Sequence, residues 1–222
     1  MTKKKTVLFA AAAVCLCCAA PAAALTAFRY QNTSIQRPAD RYEGRIPPLE
    51  SSADQDRDGI DDQTDILQGA LSYVSSRPKY RSRYYEGGYP DDGYGVCTDV
   101  VAAALKSAGY DLRELVREDQ EENPGSYGID VPDPDIDFRR VKNLKVFFQH
   151  SAISLTTDIF AIDQWQGGDI VIFENHIGIV SDRRNEAGIP FVIHHNGPWQ
   201  AAYEQDILET RDDIVGHYRM SG

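Results

Sequence analysis

The chain has 222 residues, 42% of them hydrophobic and 26% charged, which is the composition of an ordinary globular domain and excludes a disordered or fibrous protein. A single domain of this length buries roughly 70% of the surface its unfolded chain exposes, so no disulfide framework is needed to complete a core. The formal net charge of −11 argues against nucleic acid as a partner, because phosphates reward clustered basic side chains and repel a negative field.

The first element in chain order is an export signal. Lys3, Lys4 and Lys5 form a basic segment, Val7 to Ala20 an apolar one, and Ala22-Ala23-Ala24 a small-residue cleavage site. Residues 1–24 are therefore expected to be a signal peptide, with mature protein starting near Leu25 in a secreted or extracytoplasmic location. The apolar run is shorter than the about 20 residues a spanning helix needs, and no second such run follows, so no membrane span is expected after cleavage. Loss of the leader removes three lysines and no acid, leaving a formal charge of −14. Cys15, Cys17 and Cys18 leave with it, and Cys97 remains as the one cysteine of the body, unable to form an internal disulfide.

Residues 25–53 have no clear period and contain Pro38, Pro47 and Pro48, so they read as a linker or surface arm. The segment from Asp54 to Asp65 is different. It places acids at loop positions 1, 3, 5, 9 and 12 (Asp54, Asp56, Asp58, Asp62, Asp65) with Gly59 at position 6 and Ile60 at position 7. Calcium takes six to eight hard oxygens, and the glycine permits the sharp turn that folds alternate side chains inward. The pattern resembles calcium loops of the EF-hand type and the acidic repeats of thrombospondin-like proteins. A structural calcium ion is expected, with Asp54, Asp56, Asp58, Asp62 and Asp65 as side-chain ligands and Ile60 contributing its carbonyl. The terminal aspartate in place of a bidentate glutamate, and Asp61 where an apolar residue is usual, argue against tight binding.

Ile66, Leu67, Ala70, Tyr73 and Val74 follow helical spacing over residues 62–76, and Pro78 stops the helix. A Tyr/Gly loop over 79–95 leads to Cys97, which opens a second helix marked by Val100, Val101, Ala104, Leu105 and Ala108 and closed by Gly109. A third helix starts at Asp111, whose spacing to Glu114 suits a capping box. After the Pro/Asp loop 129–137, Val141, Leu144 and Phe148 mark a fourth. Asp169–Phe173, His176–Ser181 and Pro190–His195 then read as antiparallel strands. Helices precede strands without a βαβ rhythm, so the class is α+β.

A cysteine at a helix amino end is favoured as thiolate, because unpaired N–H groups stabilise negative charge there. The alternative is a small buried hydrophobe. Alternation puts His176, Gly178 and Val180 on one face of their strand, and the glycine leaves the histidine room for a partner. Of the adjacent His194 and His195, only one can point towards His176. Tyr84, Tyr85, Tyr89 and Tyr94 line a cleft or pack on their own domain, and Asp99 is a capping group or a substrate contact.

The motifs Gly95-Val96-Cys97-Thr98-Asp99-Val100-Val101, Gly168-Asp169-Ile170-Val171-Ile172-Phe173, His176-Ile177-Gly178-Ile179-Val180 and Val192-Ile193-His194, in this order, resemble the NlpC-type branch of the papain-like cysteine peptidases, and most closely a bacterial family of unknown function within that fold. The resemblance covers roughly residues 62–220, including Gly216-His217-Tyr218-Arg219. It implies a hydrolase domain over 62–222, with a nucleophile helix packed on an antiparallel sheet. Cys97 would be the nucleophile, His176 the base and His194 the orienting group, with His195 or Asn196 in that place if the register differs by one residue. The implied substrate is an amide of peptidoglycan peptides and the expected state a monomer. NlpC-type peptidases usually show Asp-Cys-Ser-Gly where this chain has Val96-Cys97-Thr98-Asp99, which bears on substrate class. Two other readings are a binding or adhesion protein on an inactive scaffold with an unreactive Cys97, and metal-dependent hydrolysis through His176, His194 and His195, which lacks a helical H-x-x-x-H pair.

Overall fold

The computed structural model describes residues 19–27 and 30–221. Lys3 to Lys5, Cys15, Cys17, Cys18 and most of the apolar run of the export signal lie outside the described residues. Residues 19–27 are helical, and among the described residues no helix is long and apolar enough to cross a membrane.

Helix α1 (Asp62–Ser75) is capped by Asp61, whose side chain accepts from the N–H groups of Gln63 and Thr64. It buries Ile66, Leu67, Ala70 and Val74 against α2 (Cys97–Ser107). α2 ends where Gly109 takes φ +81°, a left-handed geometry that glycine adopts without steric cost. α3 (Leu112–Glu122) starts on Asp111, which accepts from the N–H groups of Arg113 and Glu114. The reciprocal half of the expected box is absent, because the Glu114 carboxylate pairs with Arg113 and Arg117 instead. A single turn, α4 (Pro134–Asp137), lies in the Pro/Asp loop, and α5 (Val141–Ser151) buries Leu144, Phe147 and Phe148.

The short strands β1 (Lys79–Tyr80) and β2 (Tyr94–Gly95) pair in parallel at the two ends of the Tyr/Gly loop. The main sheet is formed by β3 (Ile153–Ser154), β4 (Ile170–Phe173), β5 (His176–Arg184), β6 (Pro190–Ile193), β7 (Glu204–Gln205) and β8 (Ile214–Arg219), all antiparallel, in the order β3-β8-β4-β5-β6-β7. The architecture is α+β. β3, β7 and β8 are not legible as strands: β3 and β7 are two residues long, and in β8 the β-branched pair Ile214-Val215 is cut short by Gly216 and followed by a polar end.

Both faces of the sheet are covered. Ile170, Ile172, Ile177, Ile179 and Ile193 meet the helices, while Val171, Phe173, Val180 and Val192 pack with Trp165, Ile189 and Leu208 on the other side. This double burial explains why β4 and β6 are continuously apolar. Residues 30–53 form a docked arm. Gln31 N–H donates to Pro198 O at 2.6 Å and Ser34 N–H to Ala201 O at 2.9 Å, and Arg37 binds Glu204 through two bonds of 2.8 and 2.9 Å.

Candidate functional site

Cys97 is the first residue of α2, preceded by Val96 in an extended conformation. Val96 cannot cap through its side chain, and the Asp99 N–H goes to Val96 O at 3.1 Å, while the Asp99 carboxylate reaches back to accept from the Val96 N–H at 2.8 Å. The same carboxylate is held by Arg139 in a two-bond pair, Nε to Oδ1 at 2.7 Å and Nη2 to Oδ2 at 2.8 Å. Both partners are buried, and a bidentate pair, with Arg139 Nη1 also donating to Arg83 O at 2.7 Å, is the geometry that repays desolvation. Asp99 is thus a structural brace for the turn that presents Cys97. Arg139, at the end of the Pro/Asp loop, carried no recognisable signal in the sequence.

The histidines follow the strand alternation. His176 opens β5 opposite Phe173 and shares its face. Its Nε2 lies 2.8 Å from Nδ1 of His194, and His194 Nε2 lies 3.1 Å from Oε1 of Gln205 on β7. A carbonyl oxygen only accepts, so His194 carries its proton on Nε2 and offers Nδ1 as an acceptor. His176 then carries its proton on Nε2, and its Nδ1 lone pair is left unprotonated. Gln205 sets the tautomer of both rings, and its place on a two-residue strand hid it from sequence reasoning.

His195 faces the opposite side of the sheet, its ring edge-on to Tyr80 at 5.3 Å and to Tyr203 at 5.2 Å. Asn196 is exposed. Of the three candidates for the orienting group, only His194 meets His176. The three histidines do not converge on one point, which removes the geometric basis for a metal held by them.

Cys97 belongs to the helix side of the sheet, half-buried against the apolar cluster there. Its sulfur takes the main-chain N–H of Ile177, the residue after His176, and those of Thr98 and Cys97 itself. Among the described residues no hydrogen bond joins Cys97 to His176. Burial pushes the thiol up to about 11, the N–H groups pull it down and Asp99 adds to the rise. The thiolate preference expected from the helix end is therefore outweighed by desolvation. Burial also pushes His176 down to about 4 and His194 to about 3. The resting site holds a neutral thiol beside neutral imidazoles.

The tyrosines of the loop are engaged with their own domain. Tyr85 and Tyr89 donate to Asp92 and Asp111 at 2.9 and 2.6 Å, Tyr84 reaches Asp133 and Asp135, and Tyr94 lies under Arg81. The aromatic next to the thiol is Tyr80, whose hydroxyl is pushed up by burial and by the charge of Cys97.

In the acidic loop, carboxylate oxygens of Asp54, Asp56 and Asp58 lie within 4.8 Å of one another. Neither Asp62 nor Asp65, both expected as ligands, is among them. Asp62 is buried, with Oδ1 accepting from Gln55 N–H at 2.8 Å and Oδ2 from the Tyr110 hydroxyl. Asp61 is occupied in capping α1. A second polar network, Asp169 with His217 Nε2 at 3.0 Å, Arg219 Nε at 2.7 Å and Gln63 Nε2 at 2.8 Å, ties β8 and α1 to the turn before β4.

A family model described as a domain of unknown function, DUF1287, matches residues 67–220. The chain is 38% identical over 167 residues, 69% of its length and 80% of the other's, to a protein of Escherichia coli (strain K12) named "Uncharacterized protein YijF". No solved structure matches.

Proposed function

Since the chain belongs to the DUF1287 family, whose description assigns no activity, its chemistry rests on the site, and we propose that it is a cysteine hydrolase of amide bonds on a papain-like, NlpC-like scaffold. The observation that carries this reading is the adjacency of two parts. The Cys97 sulfur sits on the Ile177 N–H, and the preceding residue, His176, heads an imidazole chain to His194 and Gln205 that leaves Nδ1 free to take a proton.

The reaction follows from these parts. His176 is the first residue of β5 and lies on the face away from the thiol, so as substrate enters its ring comes round the strand end, takes the Cys97 proton on Nδ1, and the sulfur attacks the amide carbonyl carbon. Catalytic hydrogen bonds that are open without substrate tighten in the complex. The carbonyl π pair moves to oxygen, where N–H groups at the start of α2 face the oxyanion. Collapse breaks the C–N bond, His176 returns its proton to the leaving amine, and a thioester remains on Cys97. Water, deprotonated by His176, then releases the acid and restores the thiol. His194 and Gln205 set the His176 tautomer from which the reaction starts.

The substrate class we assign is an extracytoplasmic amide, in the first instance the peptide part of peptidoglycan. The leader sequence and the NlpC-type motif order support it. A monomer that leaves the membrane after signal cleavage fits the same reading. The raised Cys97 and its missing bond to His176 favour one alternative, a binding protein on an inactive scaffold. Incubation with purified peptidoglycan, followed by mass spectrometry of soluble fragments, separates the two. Release by the wild type and not by Cys97→Ser supports the hydrolase, and equal fragment patterns in both overturn it.

A further inference from the structure

We infer that residues 54–65 form a calcium site in which carboxylates of Asp54, Asp56, Asp58 and Asp65, with the main-chain carbonyl of Ile60, hold one ion that fastens the amino end of α1 to the carboxyl end of α2. The inference is independent of the hydrolase reading.

Three carboxylates within 4.8 Å of one another are common on acidic surfaces and prove nothing alone. The second observation is Asp65. This side chain is 7% exposed, and its Oδ2 is buried without a hydrogen-bond partner. The charges it faces are those of Asp58, Asp56, Asp54 and Asp61. Among the described residues no arginine, lysine or hydroxyl bonds to it. A buried carboxylate oxygen costs free energy unless a donor or a cation satisfies it. A buried orphan oxygen next to the Asp54, Asp56 and Asp58 cluster, though outside its 4.8 Å group, points to a hard cation that draws Asp65 and the cluster together.

The set of ligands differs from that expected from spacing alone. Asp62, at loop position 9, is committed to Tyr110 and Gln55, so it anchors the loop and does not reach the ion. The remaining oxygens keep free lone pairs. Asp54 accepts from Asp58 and Gly59 N–H, and Asp58 from Ile60 N–H, which leaves each carboxylate able to bind metal as well. Few protein ligands and no terminal glutamate place the affinity in the range of extracellular modules, on the order of 10⁻⁴–10⁻³ M.

The ion has a mechanical consequence. Asp65 lies in the first turn of α1, while Asp56 is pressed against Gly109 after α2, where an added Cβ would lie 2.8 Å from Asp56 Cβ. Binding therefore joins α1 to the end of the helix whose other end carries Cys97.

The test is titration of calcium chloride into chelator-treated mature protein by calorimetry, with thermal unfolding measured with and without calcium. One ion per chain and a rise of several degrees in Tm are expected. Both are lost in Asp54→Asn/Asp58→Asn, while Asp65→Asn binds more weakly and unfolds no earlier than the wild type in the absence of calcium. No uptake by the wild type at millimolar calcium, uptake undiminished in the double variant, or equal affinity for magnesium would overturn the assignment. None of these readouts depends on hydrolysis.

Discussion

His194 reaches His176 because Gly178 has no side chain. The two histidines lie on the face of β5 and β6 that Gly178 shares, and a Cβ on Gly178 would stand 2.6 Å from Val192 Cγ1, 2.9 Å from Ile193 O and 3.2 Å from His194 Cβ. Gly178→Ala is thus expected to cost about 1–3 kcal/mol through overpacking and to displace His194. Urea unfolding and peptidoglycan digestion check the two effects. A variant as stable and active as the wild type would show that the space is not needed.

Gln205 acts on His176 through His194. Gln205→Leu removes the acceptor at His194 Nε2 and releases the tautomer of both rings, whereas Gln205→Glu keeps an acceptor there. The leucine variant should lose about tenfold to a hundredfold in turnover, the effect of one broken buried hydrogen bond of roughly 1–3 kcal/mol. The glutamate variant should recover part of it with an altered pH profile. Equal activity of all three chains removes Gln205 from the chain of bonds.

Acid should destabilise the fold through these imidazoles. In the folded chain His176 and His194 are held near 4 and 3, below their ordinary value of 6.5, so between those values the unfolded chain binds more protons. Stability is then fully present above about 6.5 and falls as pH drops through 6.5 towards 4, by an amount on the order of a few kcal/mol. Chemical denaturation across this range should show a shallower slope for His176→Gln/His194→Gln. Parallel slopes would mean that neither ring titrates on unfolding.

Asp99→Asn leaves Arg139 buried with its charge partner neutralised and weakens the brace beneath Val96 and Cys97. The expected loss is about 3–5 kcal/mol, the effect of breaking a buried pair from one side. A urea midpoint within error of the wild type would contradict it.

The sequence was most informative where period and chemistry coincide. Apolar spacing marked the faces of α1, α2 and α5, and strand alternation put His176 and Gly178 on one face and allowed only one of His194 and His195 to join them, a choice the structure makes for His194. The strands of two residues and β8 escaped, since pairing with distant neighbours and not local propensity makes them strands. Asp62 illustrates a further limit. Its position in the acidic loop suits a ligand, yet the Tyr110 hydroxyl, 48 residues away, decides its role. Likewise the helix start at Cys97 predicted an acidic thiol, and only the packing of α2 on β5 reveals the burial that reverses it. Arg139 and Gln205 act through tertiary contacts that no spacing records.

The central claim, that Cys97 carries the acyl group of a cleaved amide, is tested most directly by acid-quenching the mature protein during reaction with peptidoglycan peptides and mapping the intact mass change. The account predicts a thioester adduct on Cys97 in the wild type and none in Cys97→Ser or His176→Ala. Amide cleavage that proceeds undiminished in Cys97→Ser would contradict it.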